Sequence, residues 1–566
     1  MKAYRVCGNA VYWIRMAGLL LLIFTIRFPL SSTLAYVNEQ PLAVTRTVTS
    51  TADSGSGTLR DAIQNASADD VIVFSTSVFP PSNPQTISLV SPLSWIEVTG
   101  LQIDASNAGV IVSGAGLTGQ YDNCFMVRAN NVTIRGLQIV NCPNHGVEIN
   151  NGASFVTIGG DRNIGNGPLG QGNRFAGNRV GLWVYGRDIP SQGIVVKGNL
   201  FGTTLSGTGA AGNSHAGATI LKSDDNVIGG SLDGERNVFS ANGYYGLELW
   251  DCVGVTIENN YAGTNLAGTA ALGNSDSGIL VVNSANVTLK NNLISGNQAN
   301  GIFLDHVEHT VATGNMIGTD KTGTLALGNG GHGLGIRGTN FTIGGANAGE
   351  GNLISGNGGW AALLLWATSP TNAIIQGNII GTNQSGTTAL RNMGMGIHIS
   401  GTNTLIGGAL TTAGNLVSGN NGHGIWVESS PSHPYTATIM NNIVGVNING
   451  TAAITNAHNG ITLDQFSDAI VQDNLIGGNG GWAGLALLAN TVVRSHAVIQ
   501  RNVVGTDRTG NHGIANWGTG IYVTGTNEVL LGGYDPAEGN LVSGNGNHGI
   551  YIESSIAKPY TAAVVN

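Results

Sequence analysis

The sequence is poor in charged residues and in cysteine. Only 10% of its 566 residues are Asp, Glu, Lys or Arg, and the formal net charge is −9. Nucleic-acid-binding proteins need stripes of basic side chains, so this dilute acidic surface excludes a nucleic-acid partner. The four cysteines are too few for a domain that is held together mainly by disulfides.

Glycine and apolar residues, in contrast, are abundant. The chain contains 88 glycines, and 41% of its residues are hydrophobic. Glycine weakens helix interiors, whereas a disordered glycine-rich linker would lack this hydrophobic content. The composition therefore favours many short apolar strands separated by tight turns.

The first 35 residues have the pattern of a signal peptide. Lys2, Arg5 and Arg15 precede an apolar run over residues 17–26, and small residues around Ala35 follow. A run of this length is too short to cross a bilayer, which takes about 20 residues. We therefore expect export to a secreted, extracellular or cell-surface location, with no transmembrane segment after the signal is removed.

Internal repeats are plain in the rest of the chain. The triplets that begin at Ile317, Ile380 and Val504 read apolar-Gly-Thr, and segments of the form Asn-Leu-Ile/Val-Ser-Gly-Asn lie between them. A longer period is also visible, because residues 428–441 and 553–566 are near copies that lie 125 residues apart. The unit of about 60 residues therefore alternates between two forms, which tandem duplication explains.

Each coil contains one strand of the form Gly-apolar-x-apolar. These strands begin, on average 31 residues apart, at Gly146, Gly181, Gly217, Gly246, Gly278, Gly301, Gly333, Ala362, Gly396, Gly424, Gly460, Gly484, Gly520 and Gly549. One such strand cannot bury its apolar face alone, but stacked coils form a continuous apolar interior. The pattern predicts an all-β, right-handed parallel β-helix, a monomeric rod in which Gly and Asn form left-handed corners.

The repeat resembles that of the right-handed parallel β-helix proteins of bacterial envelopes. The segment from Asn315 to Asn329 carries it most fully, and the resemblance covers roughly residues 130–566. Residues 46–75 resemble the CSLREA module of such exported proteins, although Gly57 stands where that motif has Cys. We expect a signal peptide at 1–35, a module with the first coils at 36–122, and repeats at 123–566 that stop in mid-coil.

A short helix within the CSLREA-like module is predicted to cap the solenoid. Leu59, Ala62 and Ile63 lie on one side of this helix, and an open solenoid end needs such a cover. Cys124 and Cys142 are separated by 18 residues, about one short coil. They can therefore stack and form a disulfide or remain isolated buried thiols.

The fold resemblance also includes polysaccharide lyases and polygalacturonases. The Gly-His-Gly triplets around His332 and His423, and the pair Asp224-Asp225, resemble polygalacturonase motifs. No Arg-x-Lys partner follows, and His recurs at one repeat position just before a strand. We therefore interpret these histidines as stacked turn residues.

The outward positions of the strands supply the candidate binding residues. The second position after Gly holds Trp183, Phe303, Trp426, Tyr522 and Tyr551, and the fourth holds Tyr185, Asp305, Glu428, Asp464 and Glu553. Exposed rings beside carboxylates suit the faces and hydroxyls of sugars. The alternative is an ordinary solvated sheet face, on which aromatic residues favour strands, with Asp305 and Arg337 as a surface ion pair.

One group of these outward residues forms a compact candidate site. Consecutive strands project His398, Trp426, Glu428, Thr462 and Asp464 to the same side. In register, two of these carboxylates would lie about 5 Å apart, as an acid/base couple or a Ca²⁺ site. Surface carboxylates that splay apart are the alternative.

Two functions remain open from the sequence. The first is a secreted or cell-surface scaffold that binds a polysaccharide or cell-surface glycan without catalysis. Such a scaffold would need no cofactor other than a bound Ca²⁺ ion. The second is a polysaccharide lyase or glycoside hydrolase that acts on the side of the β-helix. The chain has only 23 Lys and Arg residues, too few to favour a lyase with a charge-neutralising clamp.

Overall fold

A computed structural model describes residues 43–186, 188–367, 372–401, 403–429, 434–489, 494–553 and 561–565. The predicted signal peptide and the last residue of the 125-residue repeat lie outside these ranges. The described chain from Ala43 onward is almost entirely parallel β-structure. Successive coils add strands to three ladders, the first of which begins at Phe125, and this arrangement confirms the predicted parallel β-helix.

The three ladders have strands of different lengths. The first ladder contains Phe125–Val127, His145–Asn150, Val180–Tyr185, Ala218–Leu221, Leu247–Trp250, Ile279–Val282, Ile302–Thr313, Leu334–Gly344, Ala361–Ala367, Met395–Ser400, Ile425–Glu428, Ile461–Asp464, Ala483–Leu488, Thr519–Thr524 and Ile550–Glu553. The second contains Thr45–Val48, Val71–Phe74, Gln102–Asp104, Thr133–Arg135, Thr157–Gly159, Val195–Lys197, Val227–Gly229, Thr256–Glu258, Thr288–Lys290, Asn372–Gln376, Asn403–Gly407, Tyr435–Met440, Phe466–Gln472, His496–Gln500, Glu528–Gly532 and Thr561–Val565. The third contains Gln85–Ser88, Val110–Ser113, Leu137–Val140, Arg174–Ala176, Leu200–Phe201, Val238–Phe239, Tyr261–Ala262, Leu293–Ile294, Met316–Ile317, Leu353–Ile354, Ile379–Ile380, Leu416–Val417, Ile443–Val444, Leu475–Ile476, Val503–Val504 and Leu541–Val542.

The first and second ladders are joined in the middle of the stack. The strands Ile302–Thr313 and Leu334–Gly344 are long enough to belong to both ladders, which makes one sheet of 31 strands. The third ladder is a separate sheet of 16 strands. A two-stranded sheet, Ser191–Gln192 with Ser223–Asp224, and the 3₁₀ turns Asp233–Glu235, Thr411–Ala413 and Pro536–Glu538 lie in the connections.

The interior is one continuous apolar column. Alternate residues of each strand point inward, so that Ile302 and Leu304 are fully buried while Phe303 between them is half-buried. Identical side chains stack from coil to coil, as for Phe175, Phe201 and Phe239, whose ring centroids lie 4.7 and 4.8 Å apart. Stacking therefore buries a surface that no single coil can bury alone.

The recurring asparagines have a role that the sequence analysis missed. Asn315 donates from Nδ2 to Asn352 Oδ1 at 2.9 Å and to the Leu289 carbonyl at 2.9 Å, and the pattern repeats in coil after coil. The expected left-handed corners at Gly and Asn are confirmed, but they lie at other asparagines, such as Asn291, which directly precedes a stacked asparagine. These buried amides link the coils because each one satisfies backbone groups that turn inward.

The N-terminal end of the stack has the predicted helical cap. The helix Leu59–Gln64 begins after Thr58, whose hydroxyl accepts from the backbone N–H of Asp61, and it buries Leu59, Ala62 and Ile63.

Cys124 and Cys142 form a disulfide with a Cα–Cα distance of 5.7 Å. Of the two states left open by the sequence, a disulfide or two isolated thiols, the structure has the disulfide. The described residues contain no helix that is long and apolar enough to span a membrane.

Candidate functional site

The predicted cluster lies on the outward face of the first ladder. The strands pair in register, so that His398 lies opposite Trp426 and Trp426 lies opposite Thr462. Ile425 and Val427 are fully buried, while the side chain of Trp426 between them points outward and is half-buried. The predicted stacking and strand face are therefore confirmed.

Aromatic rings from the preceding turns join this strand face. The ring centroids of Trp360 and His398 are 4.6 Å apart, those of His398 and Trp426 5.5 Å, and those of His423 and Trp426 5.1 Å. His458 extends the group at 5.2 Å from His423. The turn histidines thus pack on the rings of the strands, and for this reason Trp426 is less exposed than the sequence suggested.

A groove of about 320 Å³ runs over these rings. Its lining includes Trp360, Met393, Met395, His423, Trp426 and His458. Trp360 is 50% exposed and Met393 is 63% exposed at the rim, whereas Met395 is buried. The groove therefore offers one open indole and an apolar floor to a ligand.

The carboxylates lie at the other end of the same strands. His398 donates from Nε2 to Glu428 Oε1 at 3.0 Å, although burial holds the pKa of His398 below its ordinary value. Burial and the neighbouring charge of Glu428 raise the pKa of Asp464. The two carboxylates therefore interact as like charges one strand apart, as the register predicted.

Two polar side chains of the cluster are occupied by internal hydrogen bonds. Thr462 Oγ1 and His423 Nδ1 are hydrogen-bonded at 3.2 Å, and Thr462 is buried. Burial, together with the neighbouring His458, lowers the pKa of His423 to about 4. Tyr435 donates its hydroxyl to the Val427 carbonyl at 2.7 Å beneath this face. Thr462 and Tyr435 therefore support the site from inside.

Phe303 and Asp305 do not belong to this cluster. Successive register pairs place Phe303 four strands before Trp426 in the same column. Asp305 accepts from Arg337 at 3.3 Å, which confirms the predicted ion pair, and it lies 3.0 Å from His306. Its carboxylate is therefore already paired.

The polygalacturonase-like residues are not assembled into one site. His332 Nδ1 lies 3.0 Å from the carbonyl oxygen of Ala361, and Asp224 accepts from the backbone N–H of Val253 at 2.8 Å. Both side chains thus hold neighbouring coils together. Within the described residues no three His, Cys, Asp or Glu side chains converge as metal ligands.

Several residues of the groove were not singled out from the sequence. Trp360, Met393 and His458 all lie in the turns that precede strands of the first ladder. The repeated pairs Trp360-Ala and Trp482-Ala mark the turn of Trp360 as a conserved part of the repeat, and this repetition is the signal that could have identified Trp360. The position of a turn side chain over a strand depends on the path of the loop, which the period alone does not provide.

Comparisons with known proteins agree with the fold. A family model described as a right handed beta helix region matches residues 171–359 and 277–444. The periplasmic alginate epimerase AlgG aligns over 78% of this chain and 82% of its own, with 12% identity and a TM-score of 0.36. The AlgE6 A-module, a mannuronan C-5 epimerase from Azotobacter vinelandii, aligns over 81% of this chain and 98% of its own, with 13% identity and a TM-score of 0.35.

A third solved structure is similar over a longer part of the chain. The catalytic unit of a GH87 alpha-1,3-glucanase from Streptomyces thermodiastaticus strain HF3-3 aligns over 90% of this chain and 69% of its own, with 15% identity and a TM-score of 0.30. No curated protein sequence matches the chain. The handedness predicted from the repeats is that of the matched family model.

Proposed function

We propose that this protein is a secreted or cell-surface β-helix that binds a glycan in the groove over Trp360 and Trp426 without catalysing a reaction. The observation that carries the proposal is the groove itself, with the half-exposed indole of Trp360 above an apolar floor. Beside the groove, His398 packs on both indoles and is hydrogen-bonded to the carboxylate of Glu428. A sugar has an apolar face and a rim of hydroxyl donors. The groove offers matching surfaces for both.

The two parts of the site have different tasks in binding. A ring such as Trp360 buries the apolar face of a sugar and contributes contact area. The carboxylate of Glu428 accepts hydroxyl hydrogen bonds, and such charge-assisted bonds are stronger than neutral ones. Together they fix the orientation of the sugar as well as its position.

Two features support an exported location. The disulfide between Cys124 and Cys142 is typical of oxidising compartments outside the cytosol. The basic start and short apolar run of the first 35 residues are typical of a signal peptide. Both agree with a glycan of a cell surface or its surroundings as the partner.

The second candidate is a polysaccharide lyase or glycoside hydrolase. The raised pKa of Asp464 beside the charge of Glu428 favours it, because two carboxyl groups with different pKa values can act as acid and base. Glu428, however, is already hydrogen-bonded by His398, so this carboxylate is not free to exchange a proton with a substrate. A Ca²⁺ ion between the two carboxylates is a further possibility, since hard cations prefer oxygen ligands.

The test is binding of the purified protein to a polysaccharide array, with and without a Ca²⁺ chelator. The double variant Trp360→Ala/Trp426→Ala should lose at least about tenfold in affinity, which corresponds to about 1.4 kcal/mol. Tyr121→Ala, which removes a ring that is 76% exposed on a distant coil, is the control and should bind like the natural protein. Full binding by the double variant would contradict the proposal.

The same samples distinguish the alternatives. Release of new sugar ends that stops in Glu428→Gln would favour the enzyme, whereas binding that is abolished by the chelator would identify a Ca²⁺ site.

A further inference from the structure

The chain contains a second group of rings with the same arrangement. We call Trp360, His398, His423, Trp426 and Glu428 the first cluster. The second cluster consists of the residues at the equivalent strand and turn positions one 125-residue repeat later. Its members are Trp482, Tyr522, His548, Tyr551 and Glu553.

The contacts within the two clusters correspond one by one. Trp482 and Tyr522 have ring centroids 4.9 Å apart, where Trp360 and His398 are 4.6 Å apart. Tyr522 and Tyr551 are 5.5 Å apart, the distance also found between His398 and Trp426. The duplication thus preserved the spacing of the rings, whereas their relative orientation changed, from T-shaped for His398 and Trp426 to stacked for Tyr522 and Tyr551.

The remaining contacts correspond as well. His548 and Tyr551 are 5.2 Å apart, where His423 and Trp426 are 5.1 Å apart. Tyr522 donates its hydroxyl to Glu553, as His398 donates to Glu428 in the first cluster. Each cluster therefore combines a carboxylate with a ring that hydrogen-bonds to it.

The spacing of the clusters follows from the strand register. Thr462 and Ala486 occupy the two positions between Trp426 and Tyr522 in the same column of the first ladder. Equivalent residues are therefore four strands apart, which is about 19 Å at 4.8 Å per strand. The two intervening side chains are small and buried, so neither adds a ring to the column between the clusters.

We propose, on the basis of the function proposed above, that the second cluster is a second glycan-binding site and that one linear polysaccharide contacts both clusters along the stacking direction of the strands. A repeating polymer presents the same chemical group at regular intervals, and a straight solenoid presents the same site at a regular interval. Trp482 is 49% exposed, nearly as much as Trp360, and offers an indole at the same place in the repeat. Two sites on one rigid body raise affinity for a ligand that spans them without any new contact.

The experiment compares long and short ligands with the full chain. The probes are xylan, polygalacturonate, alginate and carboxymethyl cellulose, each with its own disaccharide, which cannot span about 19 Å. The variants are Trp360→Ala/Trp426→Ala for the first cluster and Trp482→Ala/Tyr551→Ala for the second. Thermal unfolding of each variant checks that the coils remain folded.

We expect the polymer that binds to do so at least about tenfold more tightly than its disaccharide, because of avidity. Loss of the second cluster should remove most of this difference and leave the disaccharide affinity of the first cluster unchanged. Unchanged polymer affinity in Trp482→Ala/Tyr551→Ala, with loss in the first-cluster variant, would overturn the second site while the proposed function stands. Absence of binding to every probe would instead remove the proposed function together with this inference.

Discussion

The first and second clusters share a backbone but differ in chemistry. Both lie on three consecutive strands of the first ladder, and both are built over fully buried residues such as Ile397 and Ile521. At the outward positions His398 is replaced by Tyr522, and Trp426 by Tyr551. Inward residues thus maintain the coil geometry, and outward residues are free to change the surface chemistry of a repeat.

The two clusters differ mainly in the ring that donates a hydrogen bond to the carboxylate. The first cluster contains imidazoles, and burial lowers the pKa of both His398 and His423. In the second cluster the hydrogen bond to Glu553 raises the pKa of Tyr522 to about 12. The ring that donates to the carboxylate is therefore an imidazole in the first cluster and a phenol in the second.

The largest expected effect tests the shared interior. Ile397→Asp and Ile521→Asp each place an unpaired charge in the apolar column and should each cost about 4 to 5 kcal/mol of unfolding free energy. Guanidinium chloride unfolding, followed by tryptophan fluorescence, measures both. A large loss in one variant and almost none in the other would show that the two copies do not share the same core.

The next largest effect is the pH dependence of the unfolding free energy that His423 of the first cluster contributes. Histidine ordinarily has a pKa near 6.5, and burial beside His458 lowers that of His423 to about 4. Between these pH values the unfolded chain binds a proton that the folded chain does not bind. Stability should therefore fall as the pH drops from 6.5 to 4, by on the order of 3 kcal/mol for this group.

Removing the imidazole should remove this loss. In His423→Asn the decrease in unfolding free energy between pH 7 and pH 4 should be smaller than in the natural protein. Tyr522→Phe is the control from the second cluster, because a phenol with a pKa of about 12 does not titrate in this range. Equal pH dependence of the natural protein and His423→Asn would contradict the assigned role of burial.

The fold could be predicted from the sequence because every coil repeats the same physical problem. Alternating apolar residues in Gly301-Ile-Phe-Leu predict one buried and one outward face. In a solenoid the neighbour of each strand is the equivalent strand of the next repeat. The register of His398, Trp426 and Thr462 followed from this rule alone.

The groove and the asparagine stacks could not be predicted in the same way. Asn315 binds to Asn352 and to the backbone of Leu289, partners that are far away in sequence, and asparagine in a glycine-rich motif usually indicates a turn. Trp360 and His458 reach the site from turns, whose paths are not periodic. Sequence periodicity therefore predicts strands and their order, but not the side chains that turns bring onto a strand face.

The smallest expected effect concerns Asp464, the carboxylate on the strand next to Glu428 of the first cluster. Burial and the charge of Glu428 raise the pKa of Asp464, which means that the folded chain disfavours the ionised form of Asp464. Stability is consequently lower above the folded pKa than below the unfolded value near 3.8. Because Asp464 is only half-buried, solvent weakens the repulsion, and Asp464→Asn should stabilise the protein by about 0.5 to 1 kcal/mol at pH 7.

Loss of the charge of Glu553, the equivalent of Glu428 in the second cluster, should have a different effect. Glu553 accepts a hydrogen bond from Tyr522, so Glu553→Gln removes a favourable charge-assisted bond and should not stabilise the protein. Unfolding free energies at pH 7 and pH 3 measure both variants, and the gain in Asp464→Asn should disappear at pH 3, where the natural carboxylate is protonated. A gain of equal size at both pH values would attribute the effect to packing, and a loss at pH 7 would show that the ionised Asp464 is stabilised by a partner such as a bound cation.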